Sequence, residues 1–405
     1  DLTCIVIGAS HAAAQLVISL RHEGWLGRII VVGDEAYLPY HRPPLSKTFM
    51  SGEKQADQLL IRNQAIYDKN NIEFKLNCRI DCIDRNKKTI TTSTGEVMAY
   101  DKLALCTGSR VRRVDLPGID LKGIHYLRDI NDVEAIKQDI APDKSVVIVG
   151  GGYIGLETAA SLRQQGMNIV VLEMAPRILA RVAAPELSEF YTRVHREEGV
   201  TIETGVGVSG FEGSTKVERV ICSDGRSFAA DMVIVGVGIL PNIELAEAAG
   251  LDISNGIKVD EFARTNDPDI VAAGDATNHP NSHYNIDLRL ESVPNASEQA
   301  KSAAASICGN QKIYQALPWF WSDQYDLKLQ IAGLSQGYDQ MIIRGDRNNG
   351  RSFAAFYLKQ GKLISADCVN RAQEFMLSKR IINEGLPVDV DKLADEAITP
   401  KELLG

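Results

Sequence analysis

Long apolar runs, an excess of positive charge and closely spaced cysteine pairs are all missing from this 405-residue sequence. Apolar stretches such as Met232 to Leu240 fall far short of the roughly 18 residues that a membrane span needs. The net charge of −9 argues against a general nucleic-acid binder, which shows a basic balance. No signal peptide is visible before the first predicted strand, and the seven scattered cysteines suit reduced thiols, so we expect a cytoplasmic protein.

Cys78 and Cys82 are separated by three residues in a strand-like context, so they form no Cys-x-x-Cys redox motif. A metal site at this point would lack two further ligands. Even spacing places both side chains on one face of a strand. We therefore predict two core thiols here and no metal centre.

A nucleotide-binding pattern occupies the middle of the chain, from Lys144 to Glu173. A short apolar run leads into Gly150-x-Gly152-x-x-Gly155, and a helical pattern and a second apolar run follow. In such a unit the first glycine allows a tight turn, the second lets the backbone approach a pyrophosphate, and the third lets the helix pack on the strand. The pyrophosphate sits at the helix N-terminus, where free N–H groups and the helix dipole favour anions.

Glu173 falls where a carboxylate accepts hydrogen bonds from a ribose 2′-OH. No Arg or Lys follows it before Arg177, so a 2′-phosphate would face an uncompensated negative charge. The sequence therefore predicts NAD rather than NADP. We add Ile154 in the turn, and Gly238 at the end of a later apolar run, to the candidate NAD contacts.

The same unit stands near the start of the chain in a degraded form, Gly8-x-Ser10-x-x-Ala13. A buried-strand pattern precedes it, a helical pattern follows, and the next predicted strand leads to Asp34 and Glu35. Serine and alanine are still small enough for close approach, so we predict dinucleotide binding at this turn too. Two such units mean either two dinucleotides or one internal duplication.

The segment Tyr40 to Lys47 favours a flavin in the first unit. It is a proline-stiffened loop that contains Arg42 and ends in a cation, at the point where a flavin disulfide reductase carries a cysteine pair. An ordinary proline turn before a helix remains the alternative.

Further along, one predicted strand ends in Thr107-Gly108 and a later one in Gly274-Asp275. Open α/β sheets bind ligands outside the carboxyl ends of their strands. A polyhydroxyl chain such as ribitol would accept the carboxylate of Asp275 as a partner. Residues 291–296 then open a helix, whose dipole would stabilise the negative charge of a reduced flavin if its N-terminus faces the pyrimidine edge.

From Leu317 the composition changes to an aromatic cluster, followed by alternating strand patterns and a helix. This cluster forms either the core of a third domain or partly a face that covers the cofactor. The prediction is an α/β fold with two Rossmann-like domains and a C-terminal α+β domain. The expected boundaries are 1–110 and 241–316 for a discontinuous FAD-binding domain, 111–240 for an inserted NAD-binding domain, and 317–405 for the C-terminal domain.

Four segments carry a resemblance to a known family: RPPLSK at 42–47, GGGYIGLE at 150–157, ESVPNA at 291–296 and WFWSDQY at 319–325. Together they resemble the flavin ferredoxin reductases of the putidaredoxin reductase type, within the wider glutathione-reductase-like fold. The similarity runs over essentially the whole chain, and these segments are far more specific than either glycine pattern.

The resemblance implies a set of FAD contacts, which are Ala12, Asp34, Lys47, Ile80, Arg128, Asp275 and Val293. It also implies that Lys47 and Glu157 flank the flavin where nicotinamide stacks, and that Trp321 lines the side from which electrons leave. Ser10 departs from the family's usual second glycine.

An NADH-dependent ferredoxin reductase is the function that the resemblance implies. A hydride passes from NADH to FAD, and single electrons then leave to a two-iron, two-sulfur ferredoxin that serves a heme-thiolate or Rieske-type oxygenase. The chain has no cluster-ligating cysteine set of its own, so the electrons must leave the polypeptide. Such ferredoxins are usually acidic, and we nominate Lys301 and Lys401 as docking cations, with plain solvated surface as the alternative.

Three other functions stay open at this stage. Rubredoxin reduction would use the same fold and the same cofactors. A flavin oxidase or disulfide reductase is disfavoured by the missing cysteine pair near Lys47. A signalling protein resembling apoptosis-inducing factor would hold FAD and NADH structurally and would be reduced by NADH only very slowly.

Overall fold

The structure is a computed structural model that describes residues 2–404. The first segment of the chain builds most of a parallel sheet, because its apolar runs are buried on both faces. Its elements are β1 Thr3–Ile7, α1 His11–His22, β2 Arg28–Val32, α2 Gln64–Lys69, β3 Ile72–Lys75, β4 Ile80–Asp84, β5 Thr89–Thr92, β6 Val97–Ala99, β7 Lys102–Leu105 and β8 Ser109–Val111.

The middle segment repeats the same architecture with its own sheet. Its elements are β9 Ile124–His125, α3 Ile130–Asp139, β10 Ser145–Val149, α4 Tyr153–Gln164, β11 Asn168–Glu173, α5 Pro185–Glu197, β12 Thr201–Thr204, β13 Val208–Gly213, β14 Val217–Cys222, β15 Ser227–Ala229, β16 Met232–Val235 and β17 Ile239–Pro241. The second sheet has the strand order β12-β11-β10-β16-β9, and all of its pairs are parallel. An antiparallel ribbon of β8 and β17 joins the two halves.

The third segment returns to the first sheet. Its elements are α6 Glu244–Ala248, β18 Ile257–Lys258, β19 Ile270–Ala272, β20 Thr277–Asn281, β21 Ile286–Leu288 and α7 Val293–Ile307. Strand β19 pairs in parallel with β7, so the first sheet has the order β19-β7-β1-β2-β3. The middle segment is thus inserted into the fold of the other two.

The last segment forms an antiparallel sheet covered by helices, as expected for the predicted α+β domain. Its elements are β22 Trp319–Gln324, β23 Leu327–Gly333, β24 Gln340–Asp346, β25 Ser352–Lys359, β26 Lys362–Val369, α8 Ala372–Glu384 and α9 Val390–Ala394. This third sheet has the order β22-β23-β26-β25-β24. The predicted fold class is confirmed.

The structure also bears on membrane spans and on the cysteines Cys78 and Cys82. Among residues 2–404, no helix is both long enough and apolar enough to cross a membrane. The prediction of two core thiols is wrong, because Cys82 is exposed and Cys78 is only partly buried. Cys78 precedes β4, and a bulge between Ile80 and Cys82 shifts the register, so even spacing does not place both side chains on the buried face.

Candidate active site

The first glycine turn lies beside the carboxyl ends of β1 and β7. Gly8 has a φ of 105°, and a Cβ there would lie 1.9 Å from the carbonyl oxygen of Cys106, so only glycine fits. Ser10 is the N-cap of α1, but its side chain makes no capping bond and its Oγ instead accepts from Arg42 Nε at 3.1 Å. With no side-chain cap among the described residues, the first N–H groups of α1 are left for an anion. Ala12 and Ala13 are buried on this helix.

Two carboxylates, Asp34 and Glu35, follow β2, and of these the resemblance implied only Asp34 as an FAD contact. Glu35 is held by the protein itself, since it forms an ion pair with Arg42 and accepts a hydrogen bond from Tyr40 Oη at 2.5 Å. Asp34 is exposed. Of the two, Asp34 is therefore the carboxylate available to a ribose.

Asp275 follows β19 and faces a cation. Gly274 before it has a φ of 96°, and a Cβ there would come within 3.4 Å of the Ala12 side chain. Arg128 Nη2 lies 3.7 Å from Asp275 Oδ2, and Ser109 Oγ lies 3.5 Å from the same oxygen. Burial raises the pKa of Asp275, and Arg128 opposes that shift. A partly buried carboxylate with one cation beside it suits a polyhydroxyl ligand.

Thr107 and Gly108 connect the first sheet to the ribbon of β8 and β17. Thr107 Oγ1 donates to the carbonyl oxygen of Asn242 at 2.7 Å, and Asn242 Nδ2 donates back to the Thr107 carbonyl at 2.8 Å. The side chain of Thr107 is thus committed to the connection, and its neighbour Gly108 has a φ of 61°.

Helix α7 begins at Val293, with Ser292 as its N-cap. Asn295 N–H donates to Ser292 Oγ at 3.2 Å, and Pro294 occupies the first turn, where its missing N–H is not needed. No acidic residue stands in this turn. The dipole of α7 is therefore free to stabilise a ligand's negative charge, so the residues around the first sheet fit FAD.

The second glycine turn has the same design between β10 and α4. A Cβ on Gly150 would lie 2.0 Å from the carbonyl oxygen of Gly236, and one on Gly155 would lie 2.4 Å from the carbonyl oxygen of Gly150. Gly152, the N-cap of α4, has open space around its Cβ position. Ile154 in the first turn of α4 is half exposed. This open, uncapped helix start fits the pyrophosphate of a second dinucleotide.

Glu173 ends β11 next to this turn. Its carboxylate accepts hydrogen bonds from Gly151 N–H at 2.7 Å and from Ala175 N–H at 2.8 Å. These bonds fix the carboxylate beside the glycine turn. Arg177 points elsewhere, because its Nη1 donates to Ala183 O at 2.8 Å and to Ser188 Oγ at 2.7 Å. Gly238 lies between β16 and β17. It has a φ of 108°, and its Cβ position lies 3.9 Å from Arg181 Nη2.

Lys47 and Glu157 join the proline-rich loop after β2 to helix α4. Lys47 Nζ lies 3.4 Å from Glu157 Oε1 and 3.9 Å from Asp323 Oδ2. Glu157 lies on α4 with only 4% of its side chain exposed. Burial raises the pKa of this carboxyl, and Lys47 together with hydrogen bonds from Ser322 and Ser46 opposes that shift.

The aromatic segment of β22 turns one face to α4 and the other to its own domain. The rings of Phe320 and Tyr153 lie 5.1 Å apart, whereas Trp319 packs at 5.6 Å from Phe375 of α8. Trp321 lies 5.4 Å from Trp319 and is partly buried. The cluster thus packs partly in the core of its own domain and partly against α4, and a role in covering the cofactor stays a prediction.

The remaining candidates, Ile80, Lys301 and Lys401, lie in three different environments. Ile80 is buried in the apolar cluster that contains Ile7 and Val32. Lys301 on α7 is paired with Glu298 at 2.6 Å, which is an ordinary surface pair. Lys401 is exposed near the end of the described chain.

Two family models match the chain. The pyridine nucleotide-disulphide oxidoreductase model matches residues 2–300, and the reductase C-terminal model matches residues 319–404. The chain belongs to the pyridine nucleotide-disulphide oxidoreductase family.

Relatives within this family extend over nearly the whole chain. Putidaredoxin reductase CamA of Pseudomonas putida is 42% identical over 406 residues, which cover 99% of this chain and 96% of the relative. Rubredoxin-NAD(+) reductase of Pseudomonas putida is 34% identical over 370 residues, which cover 91% and 96%. The crystal structure of the covalent putidaredoxin reductase–putidaredoxin complex matches with a TM-score of 0.96 at 41% identity, covering 100% of this chain and 98% of that one.

Membership of the pyridine nucleotide-disulphide oxidoreductase family confirms two predictions from the sequence. The resemblance to the putidaredoxin reductase type is confirmed by the identity and coverage of these relatives. The protein is also, as predicted, an oxidoreductase that uses FAD and a nicotinamide dinucleotide. A redox cysteine pair does not accompany the flavin here, since the described cysteines are all free thiols and Ser46-Lys47 stands at the expected position.

Sequence reasoning missed the two serines of this oxidoreductase that bind Glu157. Ser46 Oγ donates to Glu157 Oε2 at 2.8 Å, and Ser322 Oγ donates to Oε1 at 2.7 Å. Both serines lie inside segments that carried the resemblance. The alternation of β22 was a usable signal, because it buries Ser322 and Gln324 on the face that holds Phe320, toward α4.

Proposed function

We propose that this protein transfers a hydride from NADH to FAD and delivers the electrons one at a time to a two-iron, two-sulfur ferredoxin. The observation that supports this proposal best is the Lys47–Glu157 pair, which joins the loop after β2 to helix α4 of the middle segment. Bound FAD would supply the change from two-electron to one-electron chemistry. One NADH and two oxidised ferredoxins would give NAD⁺, two reduced ferredoxins and one proton.

In this proposal the residues of the chain position the reactants and adjust charge. Lys47 places an ammonium group between the two nucleotide turns, and Glu157 holds that group in place through the ion pair. The start of α7, which Ser292 caps and whose first turn holds no acidic residue, contributes a positive dipole end on the flavin side. No general acid or base is needed for hydride transfer itself, so Lys47 and Glu157 act by placement and electrostatics.

The geometry at β11 supports NADH over NADPH. Glu173 presents a fixed carboxylate where a ribose 2′-OH would donate a hydrogen bond. Arg177, the first cation after it, is engaged with Ala183 and Ser188. A 2′-phosphate would meet repulsion from Glu173 without compensation from Arg177.

For the acceptor, the relatives' names support two candidates. Ferredoxin is favoured, because the most similar relatives reported above are a putidaredoxin reductase and its complex with putidaredoxin. Rubredoxin is the second candidate, supported by the relative that reduces it. We propose further that the ferredoxin serves a heme-thiolate or Rieske-type oxygenase, that Lys301 and Lys401 contribute to its docking face, and that the protein works in the cytoplasm.

A steady-state assay would decide between the acceptors. NADH oxidation is followed while a two-iron, two-sulfur ferredoxin or a rubredoxin is titrated at equal concentrations. The proposal expects a higher kcat/KM for the ferredoxin, and Lys301→Gln should raise the KM for ferredoxin without changing the reduction of ferricyanide. A preference for rubredoxin would replace the first candidate by the second.

A further inference from the structure

A continuous path of hydrogen bonds leads from Tyr325, which follows β22, to Glu157 on α4. Tyr325 Oη lies 2.9 Å from His195 Nδ1, and His195 Nε2 lies 2.8 Å from Gln324 Oε1. Gln324 Nε2 donates to Ser322 Oγ at 3.3 Å, and Ser322 Oγ donates to Glu157 Oε1 at 2.7 Å. The path begins in the turn after β22, crosses to α5 and returns through β22 to α4.

The chemistry of the amide fixes the direction of this path. Because an amide oxygen can only accept, His195 Nε2 must carry the hydrogen, and His195 Nδ1 then accepts from Tyr325. The amide nitrogen of Gln324 can only donate, so the hydroxyl hydrogen of Ser322 remains free for Glu157. Every donor on the path thus points toward the Glu157 carboxylate.

A proton on Oε1 of Glu157, the oxygen that faces Ser322, would require the opposite path. A protonated Glu157 that donates to Ser322 would turn the Ser322 hydroxyl toward an amide oxygen. Gln324 would then rotate its amide and donate to His195 Nε2, which would leave the hydrogen of His195 on Nδ1. The tautomer of His195 therefore reports whether Glu157 Oε1 accepts from Ser322, and a vibrational band of Glu157 reports its charge.

We propose that His195, Gln324 and Ser322 are positioning residues that hold Glu157 as a carboxylate against Lys47. The inference rests on the proposed function, since it assigns these residues to the charge pair between the two nucleotide sites. All three are buried, with exposures of 0%, 1% and 0% respectively. Buried donors in a complete chain polarise one another, so their effect concentrates on the final acceptor.

The charges around the path are consistent with this direction. Burial lowers the pKa of His195 to about 4, so the imidazole is neutral at physiological pH, as the path requires. Lys47 is the cation that contacts Glu157, whereas Asp323 near Lys47 is 45% exposed. The other titratable groups around the path are Tyr191 beside Glu157, and Glu198, Arg163 and Arg351 around the Tyr325 end.

The residues of the path could position Glu157, or they could simply attach the third domain to the second. A matched pair of variants distinguishes these two roles. Gln324→Met keeps the side-chain length and interrupts the path. Arg193→Met removes a different contact across the same interface, since Arg193 Nη2 donates to the carbonyl oxygens of Gly350 at 2.5 Å and Arg347 at 3.2 Å. Both variants weaken the interface, but only Gln324→Met should change the protonation of Glu157.

The readouts use the oxidised protein with FAD bound. Nitrogen-15 NMR of the wild type should show the Nε2–H tautomer of His195 from pH 6 to 9. Infrared spectroscopy, with the Glu157 band identified by Glu157→Gln, should show a carboxylate in the wild type and in Arg193→Met. In Gln324→Met the pKa of Glu157 should rise by about one unit, a tenfold change in its proton affinity.

In Gln324→Met the rate of flavin reduction by NADH should then depend on pH and should recover as the pH rises. In Arg193→Met the pH profile of this rate should stay parallel to that of the wild type. An Nδ1–H tautomer in the wild type, or a Glu157 band that is the same in both variants, would overturn the inference. If Gln324→Met does not fold, the His195 tautomer and the Glu157 infrared band of the wild type decide together, and a protonated Glu157 in the wild type would overturn the inference. Failure of NADH to reduce the wild-type flavin would instead refute the proposed function and leave the tautomer result standing.

Discussion

Lys47 Nζ lies 3.4 Å from Glu157 Oε1, and the two residues come from different nucleotide-binding units. Lys47 ends the proline-rich loop beside the first sheet, and Glu157 lies in the second turn of the helix after the second glycine pattern. We propose that the ion pair marks the place where the two predicted dinucleotides approach each other. Four predictions follow from this site and its surroundings.

Replacing Glu157 should slow hydride transfer more than it weakens NADH binding. Glu157→Gln removes the counter-ion of Lys47 in a buried site, so we expect the flavin reduction rate to fall about tenfold, which corresponds to ~1.4 kcal/mol. Anaerobic stopped-flow absorbance measures the rate and its dependence on NADH concentration. The control is Asp323→Asn, which should change the rate less than twofold because Asp323 is 45% exposed and 3.9 Å from Lys47. Equal effects of the two variants would contradict the special role of Glu157.

Gly152→Ala should leave the fold intact and impair NADH binding. The φ of Gly152 is −81° and nothing lies within 4 Å of its Cβ position, so alanine causes no strain in the protein alone. The new methyl group would occupy the space that the pyrophosphate needs. We expect at least a tenfold rise in the KM for NADH, with unchanged FAD content and unchanged thermal unfolding. An unaltered KM would place the pyrophosphate elsewhere.

Nucleotide preference should depend on Glu173. The double variant Glu173→Ala, Met174→Arg removes a fixed carboxylate and adds a cation at an exposed neighbouring position, since Met174 is 78% exposed. We expect kcat/KM for NADPH to rise by roughly 10- to 100-fold, as steady-state kinetics with both nucleotides would show. Met174→Arg alone is the control. It should raise kcat/KM for NADPH less than the double variant does, because Glu173 still repels the 2′-phosphate. An unchanged preference in the double variant would exclude Glu173 as the ribose partner.

Asp367 on β26 should make the third domain less stable as pH rises. Burial raises its pKa to about 6, whereas an unfolded Asp titrates near 3.9, so the folded state binds the proton more tightly. The proton's contribution is fully present below about pH 4 and is lost as pH rises to about 6. Tyr357 Oη donates a hydrogen bond to Asp367 Oδ2 at 2.5 Å. Asp367→Asn keeps an acceptor for this bond but cannot ionise, so the loss of stability with rising pH should disappear.

Denaturant unfolding followed by fluorescence of Trp319 and Trp321 would measure this effect. Between pH 4 and pH 6.5, the free energy of unfolding of Asp367→Asn should gain roughly 2–3 kcal/mol relative to the wild type. Parallel pH curves for the two proteins would show that Asp367 is ionised in the folded state at low pH.

Much of the fold could be predicted from the sequence, because local patterns carry it. The apolar runs around Gly8 and Gly150, the helices that follow, and the return of the chain to the first sheet at Gly274 all depend on short-range periodicity and on turn chemistry. Even spacing misled the prediction at Cys82, because a β-bulge cannot be seen from residue types alone.

The candidate site could be predicted only where single residue types are distinctive. Glu173 and Asp275 were found as carboxylates at strand ends. Residue spacing alone did not separate Asp34 from Glu35. The resemblance implied Asp34, and the contact of Glu35 with Arg42 supplies the physical reason. The sequence gives no signal for the contact of His195, because its partner Gln324 lies 129 positions away in the chain.

The most direct test of the account is a sequential-mixing stopped-flow experiment on the purified yellow protein under anaerobic conditions. One equivalent of NADH is added first, and two equivalents of an oxidised two-iron, two-sulfur ferredoxin follow. The account predicts that the flavin absorbance bleaches within milliseconds to seconds and then returns as the ferredoxin is reduced. A colourless protein, bleaching that takes minutes, or a bleached flavin that ferredoxin leaves unchanged would contradict it.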